Sequence, residues 1–137
     1  PLFAKKPVKA LNVLLNEDLA KARKAHDEEG QTAYVLLAKA ICSEFRILLE
    51  RMIECELLAD VVQRFRRALN TQGKLDKLAR ITAEDCKLFD DMMTKYSRYE
   101  HSQPKEAPVA PPAPDELKAD LEKLQNWHSE FVNRTTR

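Results

Sequence analysis

Apolar residues recur at helical spacing along most of the chain, and the longest such run extends from Gln31 to Val62. This run contains neither glycine nor proline, and its apolar positions step by three and four residues, as one buried helical face requires. The positions expected in that face are Tyr34, Leu37, Ile41, Phe45, Leu48, Met52 and Cys55. The pattern predicts a spine helix over residues 31–62, roughly 45 Å long.

Two further amphipathic segments flank this spine helix in the sequence. The first predicts a helix over residues 8–29 that ends at Gly30, because glycine suits the end of a helix. The second predicts a helix over residues 82–101. Thr82 would be its N-cap, and Asp85 would complete a capping box three residues later.

A proline-rich segment separates these helices from the last one. Five of the seven prolines lie between Pro104 and Pro114, which predicts an extended strap over residues 103–114. Asp115 suits the N-cap of a final helix over residues 115–133. Its apolar face would contain Leu117, Leu121, Leu124, either Trp127 or His128, and Phe131. We expect the strap to cross the surface and this helix to dock on the others.

Composition agrees with a helical fold, since the chain has only two glycines among 137 residues and 33% of it is charged. We expect residues 1–137 to form a single all-α domain. It would be a bundle of four to five helices, with the proline-rich strap and the docked C-terminal helix.

Several classes of chemistry find no support in the sequence. There is no glycine-rich phosphate loop, no nucleophile motif and no paired cysteine spacing of a zinc site. We therefore expect no metal and no cofactor, and we interpret Cys42, Cys55 and Cys86 as buried free thiols in a reducing compartment. No signal peptide or membrane span is recognisable, so the expected location is cytoplasmic, without membrane contact.

Charge is unevenly distributed, and residues 64–80 form a basic segment. Six basic residues stand there against the single acid Asp76: Arg64, Arg66, Arg67, Lys74, Lys77 and Arg80. Four interleaved apolar residues should hold the segment on the body of the domain: Phe65, Leu69, Leu75 and Leu78. Such a segment would attract a phosphate backbone. It could equally be a solvated helix–turn–helix whose charge is neutralised by acids elsewhere.

Arg46, Glu50 and His101 are the candidate residues for chemistry. Arg46 and Glu50 are four apart on the spine helix and project side by side, although they could be an ordinary surface ion pair. His101 follows Arg98 at a predicted helix end, where it could instead stack or cap. Together, the three residue types could cleave RNA without metal, which requires a base, an acid and a cation for the phosphorane charge.

The order Arg46-x-x-x-Glu50 followed by His101 resembles the R-x-x-x-E…H arrangement of the bacterial anticodon nucleases PrrC and RloC. These enzymes belong to the HEPN group of all-α ribonucleases. Four stretches are also similar to the C-terminal region of PrrC-like ABC-type ATPases: VVQRFRR (61–67), ITAED (81–85), KYSRYEHSQP (95–104) and PAPDEL (112–117). The common HEPN pattern places four to six residues between arginine and histidine, whereas only two separate Arg98 from His101. Whether Arg98 replaces Arg46, assists it or has nothing to do with it therefore stays open.

The resemblance implies a metal-independent endoribonuclease domain, tRNA-directed, acting as a toxin in phage defence. Its implied catalytic residues are Arg46, Glu50 and His101, and its implied partners are RNA, a second copy of the chain in a homodimer, and an ATPase domain in the parent protein. The residues expected to contact RNA are Arg64, Arg66, Arg67, Lys74 and Arg98. The alternative is a non-catalytic helical module that mediates dimerisation or regulates the ATPase. Catalysis requires the three catalytic residues to converge on one cleft.

Overall fold

The computed structural model describes residues 6–99 and 109–135. These ranges contain five α-helices and no strand, which confirms the predicted all-α bundle. The helices are α1 (Pro7–Val13), α2 (Leu19–Glu29), α3 (Gln31–Met52), α4 (Ala83–Ser97) and α5 (Pro114–Val132).

α1 and α2 form one continuous helical arm. A single π-helical turn, Leu14–Asp18, joins them without a break. Pro7 opens the arm, where its missing N–H costs nothing. Gly30 ends it with φ of 94°, a left-handed value that suits glycine, and the chain enters α3 directly.

α3 is the predicted spine, but it is shorter than residues 31–62. It passes into a second π-helical turn, Ile53–Leu57, and helical structure stops there. Just beyond this turn, Ala59 and Asp60 have φ of 51° and 60°. Left-handed backbone cannot continue a right-handed helix, so the chain leaves the helix axis at this point.

The core surrounds α3, against which α1, α2 and α4 pack, while α5 packs against the α1–α2 arm. The buried residues of α3 are Tyr34, Ala38, Ile41, Cys42, Phe45, Leu48, Leu49 and Met52. Leu37 was expected in this face, and that was wrong, because Ala38 and Cys42 fill the positions nearest the neighbouring helices and Leu37 is 40% exposed. The expectation of three buried thiols was also wrong, since only Cys42 is buried and Cys86 is exposed.

The predicted capping box of α4 is confirmed. The backbone N–H of Asp85 donates to the Thr82 hydroxyl, and the Thr82 backbone N–H donates to the Asp85 carboxylate at 2.8 Å. Asp85 is itself buried, and it also accepts from Trp127 and from Arg134, beyond the end of α5. Through this carboxylate the start of α4 is joined to the last turns of α5.

α5 begins one residue earlier than expected, and the prediction of Asp115 as its N-cap was wrong. Ala113 is the N-cap and Pro114 is the first helical residue. Proline is preorganised for that position, which places Asp115 inside the first turn. Ahead of the helix, Pro112 is buried and its carbonyl oxygen accepts a hydrogen bond from the Tyr34 hydroxyl. Residues 103–108 of the predicted strap lie outside the described residues.

The basic segment is built of turns followed by a 3₁₀ helix, Leu75–Arg80. Its apolar side chains were expected to hold it on the body, and this was wrong for most of them. Phe65 is 99% exposed, and Leu69 and Leu75 are more than half exposed. Leu78 is partly buried, and Val61, ahead of the segment, is buried.

Candidate functional site

Arg46 and Glu50 lie on successive turns of α3 and contact each other directly. The Arg46 guanidinium donates to the Glu50 carboxylate. Its Nε donates to the Ser97 hydroxyl at 3.0 Å, and that hydroxyl donates in turn to the Met93 carbonyl oxygen of α4. The predicted pair therefore exists, and it sits at the contact between α3 and the last turn of α4.

Arg64, from the turns after α3, reaches back to the same carboxylate. Its NH1 donates to the second Glu50 oxygen at 2.6 Å, and its Nε donates to Glu54, one turn further along the chain. Each oxygen of Glu50 thus accepts from a different arginine. We call the five residues Arg46, Glu50, Glu54, Arg64 and Ser97 the Glu50 cluster.

The members of the Glu50 cluster differ in access to solvent. Arg46 is mostly covered, Glu50 is 27% exposed and Arg64 is 54% exposed. The hydrogen bond from Arg46 lowers the pKa of Glu50, partial burial opposes this, and the charge of Arg64 lowers it further. Glu50 is therefore ionised at neutral pH and suits the orientation of an arginine better than the abstraction of a proton.

His101, the third predicted catalytic residue, lies outside the described residues. The structure therefore brings together Arg46 and Glu50 and leaves the position of the histidine open. In the sequence, His101 comes four residues after Ser97, the α4 residue that contacts Arg46. Arg98, between them, is the C-cap of α4 and is exposed.

The residues predicted to contact RNA lie in different environments. Arg64 belongs to the Glu50 cluster, whereas Arg66 donates to three backbone carbonyl oxygens of its own loop. Arg67 is exposed and has no ion pair or hydrogen bond among residues 6–99 and 109–135. Lys74 lines a groove of about 300 Å³ together with Lys77, Arg80 and the acids Glu56 and Asp60.

One histidine contact has no counterpart in the sequence-based predictions. Nε2 of His128 lies 3.3 Å from a carboxylate oxygen of Glu56, within ion-pair distance, yet the angles do not make a hydrogen bond. The atom is also buried, which keeps it from a dissolved substrate. No sequence signal relates these two residues, because Glu56 lies in the π-helical turn after α3 and His128 lies on α5.

Comparison with known proteins adds no assignment: no family model, no curated protein and no solved structure matches the chain. The resemblance to HEPN nucleases therefore depends on the quoted motifs alone. Within the described part of the chain, no helix is both long and apolar enough to span a bilayer. The same residues contain no group of three or more His, Cys, Asp or Glu side chains arranged to hold a metal ion.

Proposed function

We propose that the chain is a metal-independent endoribonuclease domain, tRNA-directed like the anticodon nucleases, of a larger ATPase-regulated protein. The observation that carries the proposal is the convergence of two arginines on Glu50. Arg46 comes from α3 and Arg64 from the turns beyond it, and both contact this carboxylate. The contact lies next to the last turn of α4, where Ser97 accepts from Arg46. Two guanidinium groups in one place suit a phosphate that gains charge during a reaction.

Arg64, Glu50 and His101 have different roles in the proposed reaction. Arg64, the more exposed arginine, turns from Glu50 towards the phosphate oxygens of bound RNA, while Glu50 keeps Arg46 in orientation. The ribose 2′-oxygen attacks its own phosphorus as its proton passes to the neutral imidazole of His101. The bond from phosphorus to the 5′-oxygen then breaks, and the His101 imidazolium returns the proton to that oxygen, which leaves a 2′,3′-cyclic phosphate. An imidazole suits both transfers, since it titrates near neutral pH.

A second candidate, the non-catalytic dimerisation or regulatory module, is favoured by a different observation. Leu36 is 71% exposed and Ile47 is 43% exposed, both on α3. Exposed aliphatic side chains on a regular helix suit a protein partner. In this alternative the Glu50 cluster is a surface ion-pair network that stabilises the contact of α3 with α4.

The test is cleavage of transfer RNA by the whole chain. We expect Arg46→Ala, Glu50→Ala and His101→Ala each to reduce cleavage by at least about a hundredfold, as loss of a catalytic group does. The triple variant should be hardly worse than the worst single variant, because the residues act as one unit. Cleavage should persist in EDTA and yield 2′,3′-cyclic phosphate ends.

Lys87→Ala is the matched control. Lys87 and Asp91 form an exposed pair four residues apart on α4, the same spacing as Arg46 and Glu50. This variant should cleave like the wild type, and circular dichroism should show that all variants remain helical. Equal cleavage by wild type and His101→Ala would refute the assignment. No cleavage by any form, together with dimer loss in Leu36→Ala, would favour the module.

A further inference from the structure

An exposed aromatic ring projects from an ordered loop next to the Glu50 cluster. We call residues 61–70 the Phe65 loop. Its ends are joined by a hydrogen bond of 2.9 Å from the Asn70 N–H to the Val61 carbonyl oxygen, and Val61 is buried. Phe65, near the middle of the loop, is 99% exposed. Its whole ring is therefore accessible to a ligand from solvent.

Arg66 holds the loop in shape from inside. Its side chain donates to the carbonyl oxygens of Asp60, Val61 and Ala68, at 2.8 Å for Val61 and 3.0 Å for Ala68. Its backbone N–H donates to the carbonyl oxygen of Gln63 at 3.1 Å. The residue next to Phe65 is therefore fixed at both its backbone and its side chain, so the exposure of the ring belongs to the folded loop.

The charged residues of the sequence around Phe65 are all basic. Residues 61–75 contain four basic side chains and no acidic one. Arg67, two residues after Phe65, is exposed and has no ion pair within the described ranges. Lys74 likewise has no ion pair there. An exposed apolar ring two residues from an exposed arginine that is unpaired within those ranges is complementary to a polyanion that carries flat apolar faces, and single-stranded nucleic acid has both properties.

We propose that Phe65 is a stacking platform for an unpaired base of single-stranded RNA, with Arg67 contacting a neighbouring phosphate. The inference deepens the proposed function and rests on it, because RNA is the substrate class assumed there. Phe65 follows Arg64 directly in the chain, and Arg64 contacts Glu50. A base held by Phe65 would thus belong to a nucleotide close to the one whose phosphate reaches the Glu50 cluster.

The assignment divides the basic residues by role. Arg66 shapes the loop, Arg64 links the loop to the Glu50 cluster, and Arg67 is left for the RNA backbone. Stacking requires an unpaired base, so the site should discriminate between single strands and duplex. This preference is a property that a purely electrostatic basic patch would not show.

The test is the affinity of the whole chain for a fluorescein-labelled single-stranded RNA, measured by anisotropy at fixed salt. Phe65→Ala and Phe65→Leu should each weaken binding about 5- to 150-fold, as loss of one base–aromatic stack does. Phe65→Trp should bind as the wild type does, because it keeps a π face. Leu36→Ala, which removes another exposed apolar side chain, on α3, should have no effect, and duplex RNA should respond little to any variant.

Three results would overturn the inference: unchanged binding by Phe65→Ala, wild-type binding by Phe65→Leu, or equal losses for duplex RNA. Sedimentation of the same variants measures their oligomeric state. Dimer loss in Phe65→Ala with unchanged RNA binding would assign the ring to a protein contact. The two proposals fail separately. Binding that depends on Phe65 without any cleavage refutes only the nuclease, and cleavage that depends on Arg46 but not on Phe65 refutes only the stacking site.

Discussion

Asp85 and Glu50 are both carboxylates that accept hydrogen bonds from arginine, and their surroundings differ. Asp85 is 2% exposed and accepts from the Thr82 backbone, from Trp127 Nε1 at 2.9 Å and from Arg134. Glu50 is 27% exposed and accepts from two arginine side chains. The first carboxylate joins three parts of the chain inside the fold, whereas the second lies at its surface.

The difference appears in the pKa of each group. Burial alone would raise the pKa of Asp85, but hydrogen bonds from Arg134, Thr82 and Trp127 outweigh it and lower the pKa to about 2. At Glu50 the hydrogen bond from Arg46 is the leading cause of the lowered pKa. Asp85 cannot exchange a partner without leaving a buried charge unpaired. Glu50 can release the half-exposed Arg64 to solvent or to a ligand at small cost.

The largest effect that separates the two sites should come from Asp85→Ala. Removing this carboxylate leaves Trp127 Nε1 without its acceptor and takes away the buried partner of Arg134, so we expect a loss of about 3 kcal/mol of unfolding free energy. Urea denaturation followed by circular dichroism measures it. Asp91→Ala on the same helix removes an exposed pair and should change stability by less than about 0.5 kcal/mol. Similar midpoints for the two variants would contradict the role given to Asp85.

Acid should reveal the same contrast with a smaller effect. The pKa of Asp85 falls from an ordinary 3.8 to about 2 on folding, so its stabilisation is present above the unfolded value and is lost as pH falls towards 2. We expect the wild type to lose about 2 kcal/mol more than Asp85→Asn between pH 5 and 2. Denaturation curves at several pH values measure the difference. If the unfolding free energies of the two proteins fell equally with pH, the charge of the Asp85 carboxylate would not be what stabilises the fold.

Glu50→Gln should have a smaller effect on stability than either change at Asp85. Its partners are partly exposed, so we expect a change below about 1 kcal/mol, measured by urea denaturation. Under the proposed function the same variant should nevertheless lose RNA cleavage, which separates a functional carboxylate from a structural one. A destabilisation as large as that of Asp85→Ala would place both carboxylates among the structural groups.

Local signals predicted much of the fold. The capping box of α4 involves residues three apart, and Gly30 marks a break that only a glycine makes easily. The sequence predicted four helices, and these overlap all five α-helices of the described residues, because the single helix predicted over residues 8–29 covers both α1 and α2. The same reasoning placed Arg46 beside Glu50, because residues four apart on a helix are neighbours.

Contacts between distant parts of the chain escaped prediction. Nothing in the sequence relates Asp85 to Trp127 or Arg134, although they share hydrogen bonds. The exposure of Phe65 also escaped, since an interleaved apolar residue is more often buried than not. The early end of the spine had no glycine or proline to mark it, because Ala59 and Asp60 adopt left-handed backbone themselves.

The π-helical turn between α1 and α2 has a consequence for chain length. Such a turn bonds residue i to i+5 and so holds one more residue than an α-helical turn. Asn16, within Leu14–Asp18, is exposed, and its deletion would leave a regular α-helix with both flanks facing the same neighbours. Deleting Lys24 from α2 would instead rotate every later position by about 100°. The arm therefore has one place where evolution can add or remove a residue while the core keeps its alignment.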